Sequence, residues 1–225
     1  MSGETGWVKC NNHVGHKFRR RSGSLVPVIE ECYLRDDISC GSGVCTICAH
    51  RTLTLPADAD HYVVPDVGHL MKFSEVFDLS EAQNAVLLAS VVKQVYAQGG
   101  MTRAAGRVRA LLADPRHRCH FFDDLHCRSA ASAALQATAG SRVEAVARWY
   151  HEHLQGRIPV VALCDAPGSR AGSSQADWPL AGGVHVMCAE EYFPQACQAT
   201  PTALALYTSL AAELPDTGGP SPGDT

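Results

Sequence analysis

The sequence has little that would suit a membrane-spanning or secreted protein. No stretch of its 225 residues is apolar enough to span a membrane. The N-terminus is basic at Lys9 and at residues 17–21, and it lacks the apolar core of a signal peptide, which favours a reducing compartment. In such a compartment the ten cysteines are expected to be thiols and metal ligands rather than disulfides.

Several function classes are disfavoured by missing motifs and by charge. The serines and histidines share no motif of a nucleophilic triad, and Gly182-Gly183 lacks the strand and helix context of a phosphate cradle. A formal net charge of -4 argues against a protein that coats nucleic acid indiscriminately, although residues 17–21 form a local basic patch. These absences direct attention to the cysteines.

The most distinctive pattern is a Cys-x4-Cys-x2-Cys cluster formed by Cys40, Cys45 and Cys48. Thiolates at these spacings can converge on one point, as a tetrahedral zinc site requires, and the intervening glycines let the backbone bend. The motif supplies three ligands, so the fourth must be His50, Cys32 or a residue distant in the sequence. In the alternative interpretation, the cysteines pack as small apolar residues in a core.

One main domain is predicted, with short additions at both ends. Residues 1–16 are expected to be flexible, and residues 17–60 to form a hairpin followed by the cysteine-rich segment. The main domain covers residues 61–198 and is followed by a helix in 199–214. Loop residues dominate 215–225, which are expected to be disordered.

Within the main domain, short apolar runs alternate with helical patterns. This alternation predicts an α/β fold with a parallel sheet covered by helices on both faces. Ligands gather at the carboxyl ends of such strands, where Asp66 and Asp165 are expected. Asp123 and Asp124 are interpreted as a solvated loop rather than a second metal site. Strands are predicted at 61–65, 85–88, 119–122, 159–164 and 184–188, and helices after residue 88 and at 104–112, 142–154, 190–197 and 203–214.

Three motifs in this order carry a family resemblance. They are Tyr33-Leu34-Arg35-Asp36-Asp37-Ile38, His61-Tyr62-Val63-Val64-Pro65-Asp66 and Arg148-Trp149-Tyr150-His151-Glu152-His153-Leu154. Together they resemble the N-terminal PIN region of the RNase II-type (RNB) catalytic subunit of the RNA exosome. Residues 112–117 and 183–186 are most similar to its cytoplasmic branch, the Dis-three-like exonuclease. The resemblance covers roughly residues 17–198 and implies a PIN-like fold.

The resemblance also implies a nuclease site in which four carboxylates hold Mg²⁺ or Mn²⁺. Its first and last acids fall on Asp66 and Asp165, but the second and third fall on Gln94 and Gly140. Because an amide and a missing side chain cannot replace two negative charges, the acid site is predicted to be degenerate. Glu144, one helical turn beyond Gly140, is the candidate surrogate.

For the cysteine cluster, the resemblance implies a zinc site with His153 as the fourth ligand. In the family, a histidine of the Tyr-x-Glu-His-Leu segment faces the three cysteines. Such a Cys3His site would join the N-terminal segment to the long helix. His50 and Cys32 remain the alternative ligands.

The resulting hypothesis is a catalytically degenerate PIN domain, a pseudoenzyme that docks an exosome-associated 3′–5′ exoribonuclease to the exosome core. Core subunits are then its partners, RNA is reached through the parent enzyme, and neither membrane nor DNA is expected. The expected location is the cytoplasm, with the nucleus as the alternative. Two alternative functions are an active metal-dependent endoribonuclease using Asp66, Asp165 and Glu144, and a standalone RNA-binding module using residues 17–21.

Overall fold

Antiparallel strands lie at the N-terminal end of the chain. The computed structural model describes residues 8–9, 15–21, 24–30, 33–48, 53–79, 84–99, 103–136, 142–164, 180–198 and 200–212. Strand β1 (Val8–Lys9) pairs with β4 (Tyr33–Leu34), and β2 (Gly15–Arg21) forms the predicted hairpin with β3 (Ser24–Glu30). Strand β1 and the start of β2 lie within residues 1–16 and have paired backbones. The flexibility of residues 1–16 stays a prediction.

A five-stranded parallel sheet forms the centre of the domain. Three of its strands are buried at every residue, which explains why their sequences are continuously apolar rather than alternating. All five strands occur where the sequence predicts them. They are β5 (Tyr62–Pro65), β6 (Ala85–Leu88), β7 (Cys119–Phe122), β8 (Val160–Leu163) and β9 (Val184–Met187), in the order β7-β6-β5-β8-β9.

Seven helices surround the sheet in the described part of the chain: α1 (Val67–Phe73), α2 (Ala89–Gly99), α3 (Arg103–Ala113), α4 (Arg128–Gln136), α5 (Arg142–His153), α6 (Ala189–Ala196) and α7 (Pro201–Ala212). A short 3-10 helix covers Val76–Asp78. Two helices, α1 and α4, are absent from the sequence-based assignment. None of the helices in the described ranges combines the length and apolar character needed to cross a membrane.

The topology explains which helices cover which face. From β5 the chain moves outward through β6 to β7, and it then returns across the sheet to β8. Right-handed crossovers in opposite directions place α1–α3 on one face and α4–α5 on the other. Helix α5 packs on β8, and α4 packs on α5. The strand order reverses between β5 and β8, where parallel sheets commonly bind ligands.

Candidate metal centre

Four metal-ligating side chains converge beside the C-terminal end of α5. The ligand atoms of Cys40, Cys45, Cys48 and His153 all lie within 4.8 Å of one another. The Nε2 atom of His153 is 3.3 Å from the Sγ atoms of both Cys45 and Cys48. Zn–S and Zn–N bonds of about 2.3 and 2.0 Å place tetrahedral ligands roughly 3.5 Å apart. The arrangement therefore fits a zinc ion.

Backbone hydrogen bonds shape the turn between the last two cysteines. The N–H groups of Ile47 and Cys48 each donate to Cys45 Sγ at 3.4 Å. Burial of the Cys45 thiol opposes its ionisation, but these donors and the neighbouring thiols outweigh burial and lower its pKa. Burial raises the pKa of Cys40 and of Cys48. Cys45 is therefore the thiol best prepared to deprotonate and accept a metal ion.

Aromatic stacking fixes the histidine half of the cluster. The Trp149 ring, one helical turn before His153, stacks on the imidazole with centroids 4.6 Å apart and planes 17° apart. Phe122 of β7 in turn stacks on Trp149, with ring centroids 5.0 Å apart. Burial lowers the pKa of His153 and so favours the neutral ring, the form that ligates metals.

The cysteine half is held by contacts from α5 and from the segment that follows this helix. From α5, the buried Tyr150 hydroxyl donates to the Cys40 carbonyl at 3.0 Å. Arg157, which follows this helix, donates from Nη1 to the Val44 carbonyl at 3.0 Å. The loop is thus attached to the domain by protein contacts as well as by its ligand residues.

The structure brings together the ligand set that the family resemblance implies. It places His153 against the cysteines, at the end of the helix predicted from the apolar stripe. Both alternative fourth ligands, His50 and Cys32, lie outside the described residues. Cys40 and Cys45 are almost fully buried, so the interpretation as core cysteines describes their burial but not the convergence on His153.

Gly41 provides a direct test of this loop. Its φ of +74° is in the left-handed region, and a Cβ atom there would overlap the ring of His120. We expect Gly41→Ala to lower the free energy of unfolding by about 1–3 kcal/mol, because the strain and the clash act together. Urea denaturation measures the change.

Gly106→Ala is the matched control for the glycine substitution. Gly106 lies inside α3, and a Cβ atom there would meet no atom from elsewhere in the described chain within 4 Å. Alanine at this position should therefore stabilise the helix by about 0.5–1 kcal/mol. A Gly41→Ala protein as stable as the unsubstituted chain would show that the loop does not depend on this conformation.

The second candidate site consists of the positions that correspond to the four acids of the implied nuclease site. Asp66 caps α1: its Oδ1 accepts from the His69 backbone N–H at 2.8 Å and lies 2.7 Å from His69 Nδ1. Gln94 is exposed on α2, and Glu144 forms an ion pair with Arg148. Gly140 and Asp165 lie outside the described residues. The segment after Asp66 is the first turn of α1.

Asp124 corrects the interpretation of a solvated loop after β7. Its side chain is completely buried. One carboxylate oxygen accepts from the Ser90 backbone N–H at 2.9 Å, and the other accepts from Arg142 Nε at 2.6 Å. The carboxylate thus joins the start of α2 to the start of α5. The sequence does not indicate that Asp124 is buried, because its partners Ser90 and Arg142 are 34 and 18 positions away.

The sequence of the chain is similar to that of known exosome exonucleases. Exosome complex exonuclease RRP44 from Mus musculus is 27% identical over 154 residues, covering 61% of this chain and 16% of the relative, and the Homo sapiens protein gives the same values. The chain therefore spans about a sixth of the length of these curated relatives. No family model matches the chain.

A solved structure supports the fold. The T. brucei RRP44 PIN domain superposes with a TM-score of 0.57 at 19% identity, covering 77% of this chain and 98% of that domain. Its agreement with the parallel sheet and flanking helices confirms the predicted fold. The chain therefore has the fold of a PIN domain, and its sequence is similar to part of the exosome exonuclease RRP44.

Proposed function

We propose that this chain is a catalytically degenerate PIN domain that attaches an RNA-degrading enzyme to the exosome core. The observation that supports it most is the contrast between the two candidate sites. Four zinc-type ligands converge at one of them, whereas Gln94 and Gly140 occupy two acid positions of the other. The resemblance to the Dis-three-like branch supports a cytoplasmic location.

Zinc has a structural role in this proposal. Cys40, Cys45, Cys48 and His153 would hold the ion, which leaves no open position for substrate. Its binding energy would join the N-terminal segment to α5 and add to the stability of the fold. The function of the site is then to give the surrounding surface one shape.

Exposed apolar residues lie on the segment that carries the cysteines and on the segment that follows it. Ile47, in the turn between Cys45 and Cys48, is 56% exposed, Leu53 is 64% exposed, and Tyr33 is 37% exposed. Aromatic and large apolar side chains are common at the centres of protein interfaces. We assign Tyr33, Ile47 and Leu53 to the docking surface.

Co-purification tests the proposed partner. The tagged chain, expressed in cells, should recover exosome core subunits, identified by mass spectrometry. A tagged variant with Ile47→Asp should recover less, because a charge in an apolar contact must be desolvated. Recovery of none of the core subunits by the unsubstituted chain would remove the docking function.

A nuclease assay tests the proposed loss of catalysis. With single-stranded RNA and Mn²⁺ or Mg²⁺, we expect no endonucleolytic cleavage above the rate of a buffer control. The reason is the loss of two negative charges that would hold the metal ions. A metal-dependent endoribonuclease added to a parallel reaction confirms that the RNA is cleavable. Metal-dependent cleavage that disappears with Asp66→Asn would instead establish the endoribonuclease function.

A further inference from the structure

Strand β7 contributes residues to both halves of the metal cluster, although none of them is a ligand. We propose that His120 of this strand is a positioning residue, which holds the three-cysteine segment in ligand geometry before zinc binds. This inference rests on the proposed zinc site. It assigns part of the ordering of the cysteine segment to the protein, to which the bound ion adds its own binding energy.

The His120 ring contacts the chain on both sides of the cysteines. The ring is buried, with 6% of the residue exposed. Its Nε2 is 3.0 Å from the carbonyl oxygen of Ser39, the residue before Cys40. Its Nδ1 is 2.8 Å from Thr54 Oγ1, on the chain that returns after the cluster. One side chain therefore fixes the entry and the exit of the ligand segment.

Close packing against Gly41 adds a steric constraint. The ring occupies the space that a Cβ atom on Gly41 would need. The Gly41 carbonyl in turn accepts hydrogen bonds from the N–H groups of Thr54 and Leu55 at 3.1 and 3.0 Å. The ring and these backbone bonds enclose the turn that leads from Cys40 toward Cys45.

The same face of β7 supports the histidine half. Alternate residues of a strand point to one side, so Phe122 lies on the same face as His120. Phe122 stacks on Trp149, which stacks on His153. Ordering both halves before binding reduces the conformational entropy lost when the ion binds. Residues of this kind typically change metal affinity by about 10–100-fold.

Cobalt titration of the folded chain tests the proposal. In His120→Leu, an apolar side chain fills the buried space of the imidazole ring, and both hydrogen bonds of the ring are lost. We expect its Co²⁺ affinity to fall by about 10–100-fold, while the absorption bands of tetrahedral Co²⁺ at saturation stay the same. His120→Gln, whose amide can still reach the Ser39 carbonyl, should recover part of the affinity.

His61→Leu is the matched control for lost stability. His61 is another buried histidine, and its Nε2 is 2.9 Å from the Tyr192 hydroxyl, away from the cluster. This variant should be destabilised but should bind Co²⁺ as the unsubstituted chain does. Unchanged affinity in His120→Leu, or an equal loss in His61→Leu, would overturn the proposal. If the leucine variant does not fold, unchanged affinity in His120→Gln overturns it.

A second measurement needs no metal. In the reduced, chelated protein, alkylation of Cys40, Cys45 and Cys48 should be several-fold faster in His120→Leu than in His61→Leu, because opening of the segment exposes thiols. Equal rates would contradict the positioning role. If the unsubstituted chain binds no Co²⁺, the proposed zinc site fails, and the alkylation rates still decide whether His120 orders the segment.

Discussion

Replacing Cys45 with serine is expected to lower bound zinc from about one ion per chain to almost none and to lower the melting temperature. Cys45 Sγ is a candidate ligand and also accepts hydrogen bonds from two backbone N–H groups. No other thiol can therefore take its place without a shift of the turn between Cys45 and Cys48. At a zinc concentration about 100 times the Kd, the lost binding energy is about 3 kcal/mol. For a domain of this size that corresponds to roughly 6–12 °C. Metal analysis and a thermal melt measure both changes.

Cys188→Ser is the control for a change of sulfur to oxygen. Cys188 is half-buried at the N-cap of α6, outside the cluster, and serine is a favourable residue at that position. Its zinc content and melting temperature should match or exceed those of the unsubstituted chain. A metal-free chain whose melting is unaffected by Cys45→Ser would favour the interpretation of these cysteines as core residues.

Docking is expected to depend on the zinc cluster and not on the acid site. Cys48→Ala or His153→Ala should weaken association with the exosome core by at least about tenfold, that is, about 1.4 kcal/mol. Losing either ligand removes the zinc link between the turn that carries Ile47 and α5, so this part of the docking surface is held less rigidly by the remaining protein contacts. Binding between purified proteins, measured at several chain concentrations, gives the change in Kd.

Asp66→Asn combined with Asp165→Asn is the matched variant at the acid site. Asparagine retains the oxygen that caps α1, so the helix should stay intact while the charge is lost. We expect unchanged docking. Equal weakening in both sets of variants would show that overall stability controls association. Full zinc content and full docking in His153→Ala would show that His50 or Cys32, rather than His153, is the fourth ligand.

The three central strands of the sheet were predictable because they are buried on both faces. Continuous apolar runs such as Val160–Leu163 have few other uses in a domain of this size. Helices α1 and α4 were missed for local reasons. Helix α1 has only seven residues, and α4 is rich in alanine and serine, which form helices without marking a clear apolar stripe.

The candidate site was predictable only in part. The spacing of Cys40, Cys45 and Cys48 indicates three ligands, but His153 lies 105 residues beyond Cys48, so only the family resemblance pointed to it. His120 and Trp149 carry no signal as supporting residues, because buried histidine and tryptophan are ordinary components of a core. Their roles come from contacts between segments that the sheet brings together.

Titration of the purified chain against a reconstituted exosome core, with zinc and after chelation, tests the proposed function most directly. We expect saturable association of the zinc-loaded chain, weakening by at least about tenfold when zinc is removed and recovering when zinc is restored. The acid-site variant should behave as the unsubstituted chain throughout. Absence of association with the zinc-loaded chain, or association that is equally strong before and after complete zinc removal, would contradict docking through a zinc-shaped surface.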